Sequence, residues 1–153
     1  MDRSKFRFTH RIRVRNYEVD WQGIVHNANY LLYFEVARIE YLRHIGVKVD
    51  MESIQQDSKV VLVRNEIDYR SAAHYDELLE VLTRVSYIRN SSFAFEGIMY
   101  ESETGRLVAE NLAIHVWIDP LSNQPFPVSD RFREMVRSFE GENLQFLSSE
   151  LPR

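Results

Sequence analysis

Val19-Asp20-Trp21-Gln22-Gly23-Ile24-Val25-His26-Asn27-Ala28-Asn29-Tyr30, running into the apolar stretch Leu31 to Ile45, is the segment on which the fold turns. A carboxylate sits in a turn at Asp20, Gly23 follows it, and a helix start loaded with polar groups comes next. Tyr30, Tyr33, Phe34, Ala37, Tyr41 and Ile45 recur at helical spacing. Leu31, Leu32, Val36, Ile39 and Leu42 cover much of the remaining circumference, and only Glu35, Arg38, Glu40 and Arg43 interrupt it. A helix apolar nearly all round is expected to be buried on more than one side. Arg43 and His44 suit the negative end of its dipole, and Gly46 supplies a left-handed stop. Polar chemistry is thereby held at the mouth of a long apolar helix, as suits an apolar substrate with one reactive polar bond.

Strands flank this helix. Before it, Phe6, Phe8, His10, Ile12 and Val14 alternate with Arg7, Thr9, Arg11, Arg13 and Arg15, the pattern of a half-exposed strand. After it, the polar segment Asp50 to Ser58 reads as a connection. Four strand signals follow, at Lys59 to Arg70, Leu78 to Arg89, Ser92 to Ser102 and Arg106 to Ile118. Glu103-Thr104-Gly105 makes a short hairpin loop between the last two. Ser129 is placed to cap a short helix presenting Phe132, Met135, Val136 and Phe139, and the tail beyond Gly141 is expected to be loosely held. The order predicts an α+β domain over residues 1–153, with its core over about 5–140. An antiparallel meander curls round the helix, and unpaired sheet edges call for a second copy.

Composition removes whole classes of function. The 153 residues are 44% hydrophobic and 27% charged, as in an ordinary globular domain, with a net charge of -4. No attraction to nucleic acid is expected. Met1 to Arg15 has the character of neither a signal peptide nor a membrane span, so the cytoplasm is the expected location. With no cysteine there is no disulfide, thiol nucleophile or thiolate metal site. The five glycines are too dispersed for a phosphate-cradling loop, no serine is flanked as a nucleophile elbow requires, and the five histidines form no zinc-protease pair. An enzyme built from these residues uses carboxylates, a histidine, hydroxyls or backbone groups.

The segment Tyr17-Glu18-Val19-Asp20-Trp21-Gln22-Gly23-Ile24-Val25-His26-Asn27-Ala28-Asn29-Tyr30 resembles the hotdog-fold acyl-CoA thioesterases, in particular the group similar to 4-hydroxybenzoyl-CoA thioesterase. The likeness continues through Tyr33-Phe34-Glu35-Val36-Ala37-Arg38, Ile67-Asp68-Tyr69, Tyr75-Asp76-Glu77, Ile88-Arg89-Asn90-Ser91-Ser92-Phe93, Val116-Trp117-Ile118-Asp119 and Pro125-Phe126-Pro127. It implies a hotdog fold of about five antiparallel strands wrapped around one long helix. It also implies hydrolysis of an acyl- or aryl-CoA thioester with no metal or redox cofactor, coenzyme A entering only as part of the substrate. The substrate channel would lie between subunits of a homodimer or homotetramer, without membrane or nucleic acid. The implied catalytic residues are Asp20, His26 and Asn27; those implied to touch substrate are Tyr17, Gly23, Val25, Tyr30, Arg89 and Ser91. Many relatives carry an aromatic residue and then a histidine where this chain has His26-Asn27, so the histidine stands one position earlier.

The chemistry of the residues agrees. Free amides at a helix start are preorganised donors for the oxyanion of an attacked thioester, and the Asn27 N–H, alone or with that of Ala28, is placed to serve. Gly23 permits the reversal that brings Asp20 back toward that helix end. Asp20 then attacks the carbonyl or activates water. Against this, Asp20 can be a turn former, Asn27 and Asn29 ordinary helix-start residues, His26 and Glu35 structural, and Arg89 and Ser91 strand-end polarity. Two other functions remain open. One is an acyl-carrier-protein thioesterase, whose docking surface would be the arginine face of the first strand. The other is a non-catalytic acyl-binding domain.

Overall fold

A computed structural model describes residues 1–50 and 59–147. The elements are β1 (Phe8–Arg13), α1 (Asn27–His44), β2 (Lys59–Tyr69), β3 (Leu78–Ile88), β4 (Ser92–Glu101), β5 (Leu107–Ile118), α2 (Asp130–Glu140) and β6 (Gln145–Phe146). The expected connection 50–58 falls, beyond Asp50, outside the described residues. None of the described helices is long and apolar enough to cross a membrane.

The sheet runs in the order β1-β3-β4-β5-β2, with β1, β2, β4 and β5 all in antiparallel pairs. Only β3, β4 and β5 form a meander. The sequence pattern predicts a meander of four strands; instead β2 crosses to the far edge and pairs with β5, Tyr69 opposite Ala109 and Lys59 opposite Ile118. The physical reason is the connection 70–77, which is longer than a hairpin turn and spans the roughly 14 Å between strands three places apart. It is tied down on the way: the N–H groups of Arg70 and Ser71 both donate to Val108 O, and the Arg106 guanidinium donates to Ala72 O (3.0 Å) and to the Glu77 carboxylate (2.9 Å).

Across one face of the sheet lies α1, the arrangement of a hotdog fold. It buries Tyr30, Tyr33, Phe34, Ala37, Arg38 and Tyr41. Close approach depends on Gly97 in β4, where an added Cβ would lie 2.7 Å from the Phe34 ring. Further along, Tyr41 packs edge-on against Phe8 of β1 and Phe95 of β4. The expectation of burial on several sides is not met, since Leu32 and Val36 on the outer face are exposed. The helix ends as expected at Gly46, whose φ is +101°, with the Val47 N–H returning to Leu42 O at 2.9 Å.

Helix α2 starts where expected. Ser129 Oγ accepts the Phe132 N–H at 3.2 Å, and Phe132 and Val136 enter the core. The chain from Gly141 to Leu147 is better held than its sequence suggests, and the rest of the expected tail lies outside the described residues. β6 pairs in parallel with the end of β3, Tyr87 opposite Gln145, and the Leu147 N–H reaches Ile88 O at 3.0 Å. β1 covers β3 only as far as Thr83, so β6 and the last turn of α2 complete that edge. Glu140 bridges the gap, its Oε1 accepting the Val85 N–H at 3.2 Å and the Tyr41 hydroxyl at 2.7 Å. Burial raises the Glu140 carboxyl above its ordinary range.

Candidate active site

Val19 and Val25 form an antiparallel bridge, and the chain between them is a tight reversal. The Asp20 N–H donates to Ile24 O (2.9 Å), and the Gly23 N–H to Asp20 O (3.0 Å). Gly23 has φ +77°, a conformation that favours glycine. Asp20 Oδ1 accepts the N–H of Gln22 at 2.8 Å and of Ile24 at 3.3 Å. One carboxylate oxygen therefore holds the turn, while Oδ2 has no hydrogen-bond donor among the described residues. Holding the turn therefore occupies one oxygen of Asp20 and leaves the other unengaged among the described residues.

The reversal leads directly into α1. His26 is the N-cap, and its Nδ1 accepts the Ala28 N–H at 3.3 Å. The Asn29 N–H is taken by His26 O at 2.9 Å. That leaves the Asn27 N–H without an acceptor among the described residues, at the positive end of the helix. The helix start is pinned on several sides. Glu18 O accepts both the His26 N–H (3.0 Å) and Asn29 Nδ2 (2.8 Å), and the Tyr69 hydroxyl donates to Asn27 O (3.0 Å). The Tyr30 hydroxyl accepts the Ala73 N–H at 3.0 Å.

Glu18 is a residue that the sequence pattern did not single out. Its carboxylate accepts the Arg15 N–H (2.8 Å), Nε (3.0 Å) and Nη2 (2.8 Å). Burial opposes the charged form, but these bonds outweigh it and hold the acid below its ordinary range. Burial, and then the charge of Glu18, push the neighbouring Tyr33 phenol up. The signal for Glu18 is weak in sequence, because its main task is done by a backbone carbonyl.

Asp20, Gly23, His26 and Asn27 are brought into one turn-and-helix unit. Tyr17 lies on its exposed flank, the Arg15 guanidinium 5.5 Å from its ring. Val25 is buried in the core with Tyr30, Val108 and Leu79, so its side chain packs inward. Arg89 and Ser91 do not join this unit. The Asp20 reversal docks on the segment just before β3, through the Tyr75 N–H on Gly23 O and the Val25 N–H on Ala73 O. Arg89 follows the other end of that strand, roughly 33 Å away at the usual rise per residue. It is 5% exposed, its guanidinium lies 4.8 Å from the Tyr87 ring, and its carbonyl accepts Arg133 Nη2 at 2.7 Å. Ser91 is buried beside it.

The sequence profile of the Thioesterase-like superfamily matches residues 14–136, from the end of β1 to the middle of α2. The chain belongs to this superfamily. It is similar to the acyl-CoA thioester hydrolase YbgC of Escherichia coli, with 29% identity over 126 residues, 82% of this chain and 90% of that one. A putative esterase of Aquifex aeolicus is 35% identical over 96 residues, 63% of this chain and 74% of its own length. Among solved structures, a thioesterase from Thermus thermophilus complexed with coenzyme A and Zn superposes with a TM-score of 0.77 and 29% identity, covering 90% of this chain and 97% of that one.

Proposed function

We propose that this superfamily member hydrolyses the thioester of an acyl- or aryl-CoA at the Asp20–Asn27 unit. The observation that carries the reading is that one reversal and the helix start it leads into leave both Asp20 Oδ2 and the Asn27 N–H unengaged among the described residues. The amide and the helix dipole stabilise the oxyanion as the carbonyl carbon becomes tetrahedral. Oδ2 either attacks that carbon, giving a mixed anhydride and releasing the CoA thiolate, or takes a proton from an attacking water. His26 acts through the backbone, as the cap that leaves Asn27 as the free donor. Release of free thiol from a panel of acyl-CoAs tests the reading; a panel without turnover refutes it.

The alternative docking of an acyl carrier protein is less well supported. On the arginine face of β1, Arg7 Nη1 donates to Phe139 O (2.8 Å), Arg13 Nη1 to Asp76 O (2.7 Å), and Arg11 lies 3.5 Å from Glu80. Each of these arginines already has a partner within the chain. A purely acyl-binding domain has no use for an unengaged carboxylate oxygen in the reversal that leads to an unengaged helix-start amide.

A homodimer or homotetramer is part of the proposal, with β2 as the pairing edge. This long strand ends the sheet and leaves Val60 and Leu62 41% and 46% exposed. Sedimentation equilibrium at micromolar protein is expected to give two or four times 18.2 kDa, and a single 18.2 kDa species would contradict it.

Assembly also bears on Arg89. Arg89 stands a strand's length from the Asp20 reversal within one chain, so the proposal places it at the CoA phosphates of a second copy's site. A bidentate phosphate contact of that kind binds ground and transition states equally. Arg89→Ala is then expected to raise KM for a CoA ester and not for the same acyl group on a short thiol. Equal penalties on both esters would assign Arg89 to packing of the β3–β4 turn.

A further inference from the structure

Besides capping α1, His26 has a second ring nitrogen, and the cap decides what that nitrogen carries. A backbone N–H can only donate, so Nδ1, which receives the Ala28 N–H at 3.3 Å, must present a lone pair. The doubly protonated ring cannot make this bond, and neither can the tautomer with its hydrogen on Nδ1. The capped ring is therefore neutral, with its hydrogen on Nε2. That Nε2–H has no acceptor among the described residues, and the side chain is exposed.

The capping amide is held from its far side as well. The Ala28 N–H and the Asn27 carbonyl are the two ends of one conjugated peptide group, and the Tyr69 hydroxyl donates to that carbonyl at 3.0 Å. A donor on the oxygen makes the N–H of the same group a stronger donor to Nδ1. Tyr69 is itself braced, its ring edge-on to that of Tyr30 at 5.2 Å, while the Tyr30 hydroxyl accepts the Ala73 N–H. A chain of bonds thus runs from the end of β2 through the 27–28 peptide into the imidazole and stops at an unused Nε2–H. It depends on the histidine standing one position earlier than in many relatives: one residue later it would be the first residue of α1 and no longer the cap.

While the cap stands, neither ring nitrogen can take a proton, since the Nδ1 lone pair is engaged and Nε2 already carries a hydrogen. The ring can only donate. We propose that His26 is a catalytic hydrogen-bond donor and not a base: its Nε2–H joins the Asn27 N–H in receiving the thioester oxygen as charge develops there, and Tyr69 is the positioning residue that holds the ring through the 27–28 peptide. The hydrogen stays on Nε2 throughout. As the tetrahedral adduct collapses, the carbonyl re-forms, the C–S bond breaks and CoA leaves with the electron pair as a thiolate. Thiols ionise near neutrality, at about pH 8.5, so this leaving group needs no acid from the ring. A water that attacks gives its proton to Asp20 Oδ2. A fixed neutral donor costs no reorganisation when the oxyanion forms.

The proposal rests on the thioesterase reading, and two amide substitutions separate the two ends of the ring. His26→Asn sets an amide oxygen near the place of Nδ1 and keeps the cap, but does not reach the place of Nε2. His26→Gln carries an amide N–H to the place of Nε2 and caps poorly. A crossed ranking is expected. His26→Asn should lower kcat by at least ~10-fold with KM within ~3-fold and Tm unchanged. His26→Gln should turn over at least ~3-fold faster than His26→Asn, with Tm lower by ~2–4 °C. Tyr69→Phe should lower kcat by ~3-fold and leave KM unchanged. A cap and nothing more gives the opposite order, an active Asn variant and an impaired Gln variant; that order, or equal kcat in the two, overturns the proposal. A measurement on the wild type needs no variant. Nitrogen-15 NMR of the His26 ring should find the hydrogen on Nε2, and its resonance should move downfield on binding an acyl-CoA ketone in which a methylene replaces the sulfur. A hydrogen on Nδ1, a doubly protonated ring at pH 7, or no shift with the ketone bound overturns the proposal while leaving turnover, and so the thioesterase reading, intact. If no acyl-CoA is turned over, the thioesterase reading fails and takes the donor role with it.

Discussion

Asp20→Asn is expected to lower kcat on the best acyl-CoA by at least ~10²-fold while leaving the fold intact. The structure explains why both halves of that outcome belong together. Oδ1 spends its capacity on the N–H groups of Gln22 and Ile24, and an asparagine carbonyl accepts the same two bonds. What the substitution removes is the charge on Oδ2, which either route to hydrolysis requires. Unchanged thermal unfolding with a large loss in kcat is the predicted pair of observations, and near wild-type turnover would remove Asp20 from the chemistry. His26→Ala should cost less in kcat, since it deletes a cap acceptor for the Ala28 N–H worth about 1 kcal/mol of helix-start stability. The reverse ranking would make His26 the principal base.

Gly97→Ala is expected to destabilise the protein by about 1–3 kcal/mol, because the added methyl overpacks a well-filled interior. Its Cβ would lie 2.7 Å from Phe34 Cδ1 and 2.9 Å from Cε1, and Phe34 is fully buried on the facing side of α1. For a domain of this length that corresponds to a Tm lower by roughly 2–4 °C per kcal/mol. Phe34→Leu in the same background should return part of the loss, so the two changes should be non-additive. An unchanged Tm would mean that the helix can lift from the sheet at no cost. Since α1 carries the Asn27 amide at its start, the same packing sets the height of that amide over the sheet.

Much of this was legible in the sequence because it is local. Tyr30, Phe34, Ala37 and Tyr41 mark the buried stripe of α1 at the period of the helix. Strand alternation located β1 to β5 to within a residue or two, Ser129 announced α2, and Asp20 with Gly23 announced the reversal. Asn27 as an open donor follows from where a helix begins. The burial of Arg38 was not read there: it stands four residues after Phe34 on that stripe, but the sequence counts it among the charges that interrupt the apolar surface.

Other features exist only because distant segments meet. Which edge β2 takes depends on a crossing held by Arg106 and Val108, far along the chain. The ordering of the chain after Gly141 depends on β1 stopping at Thr83 and exposing β3 to Glu140 and β6. The separation of Arg89 from Asp20 is the length of one strand, invisible in a motif that puts both in one family pattern. Periodicity and turn chemistry are properties of neighbouring residues, so the sequence by itself determined the elements and the Asp20–Asn27 unit. Strand order, the burial of Arg38 and the engagement of one Asp20 oxygen but not the other arise from packing and pairing, and only the tertiary structure decided them.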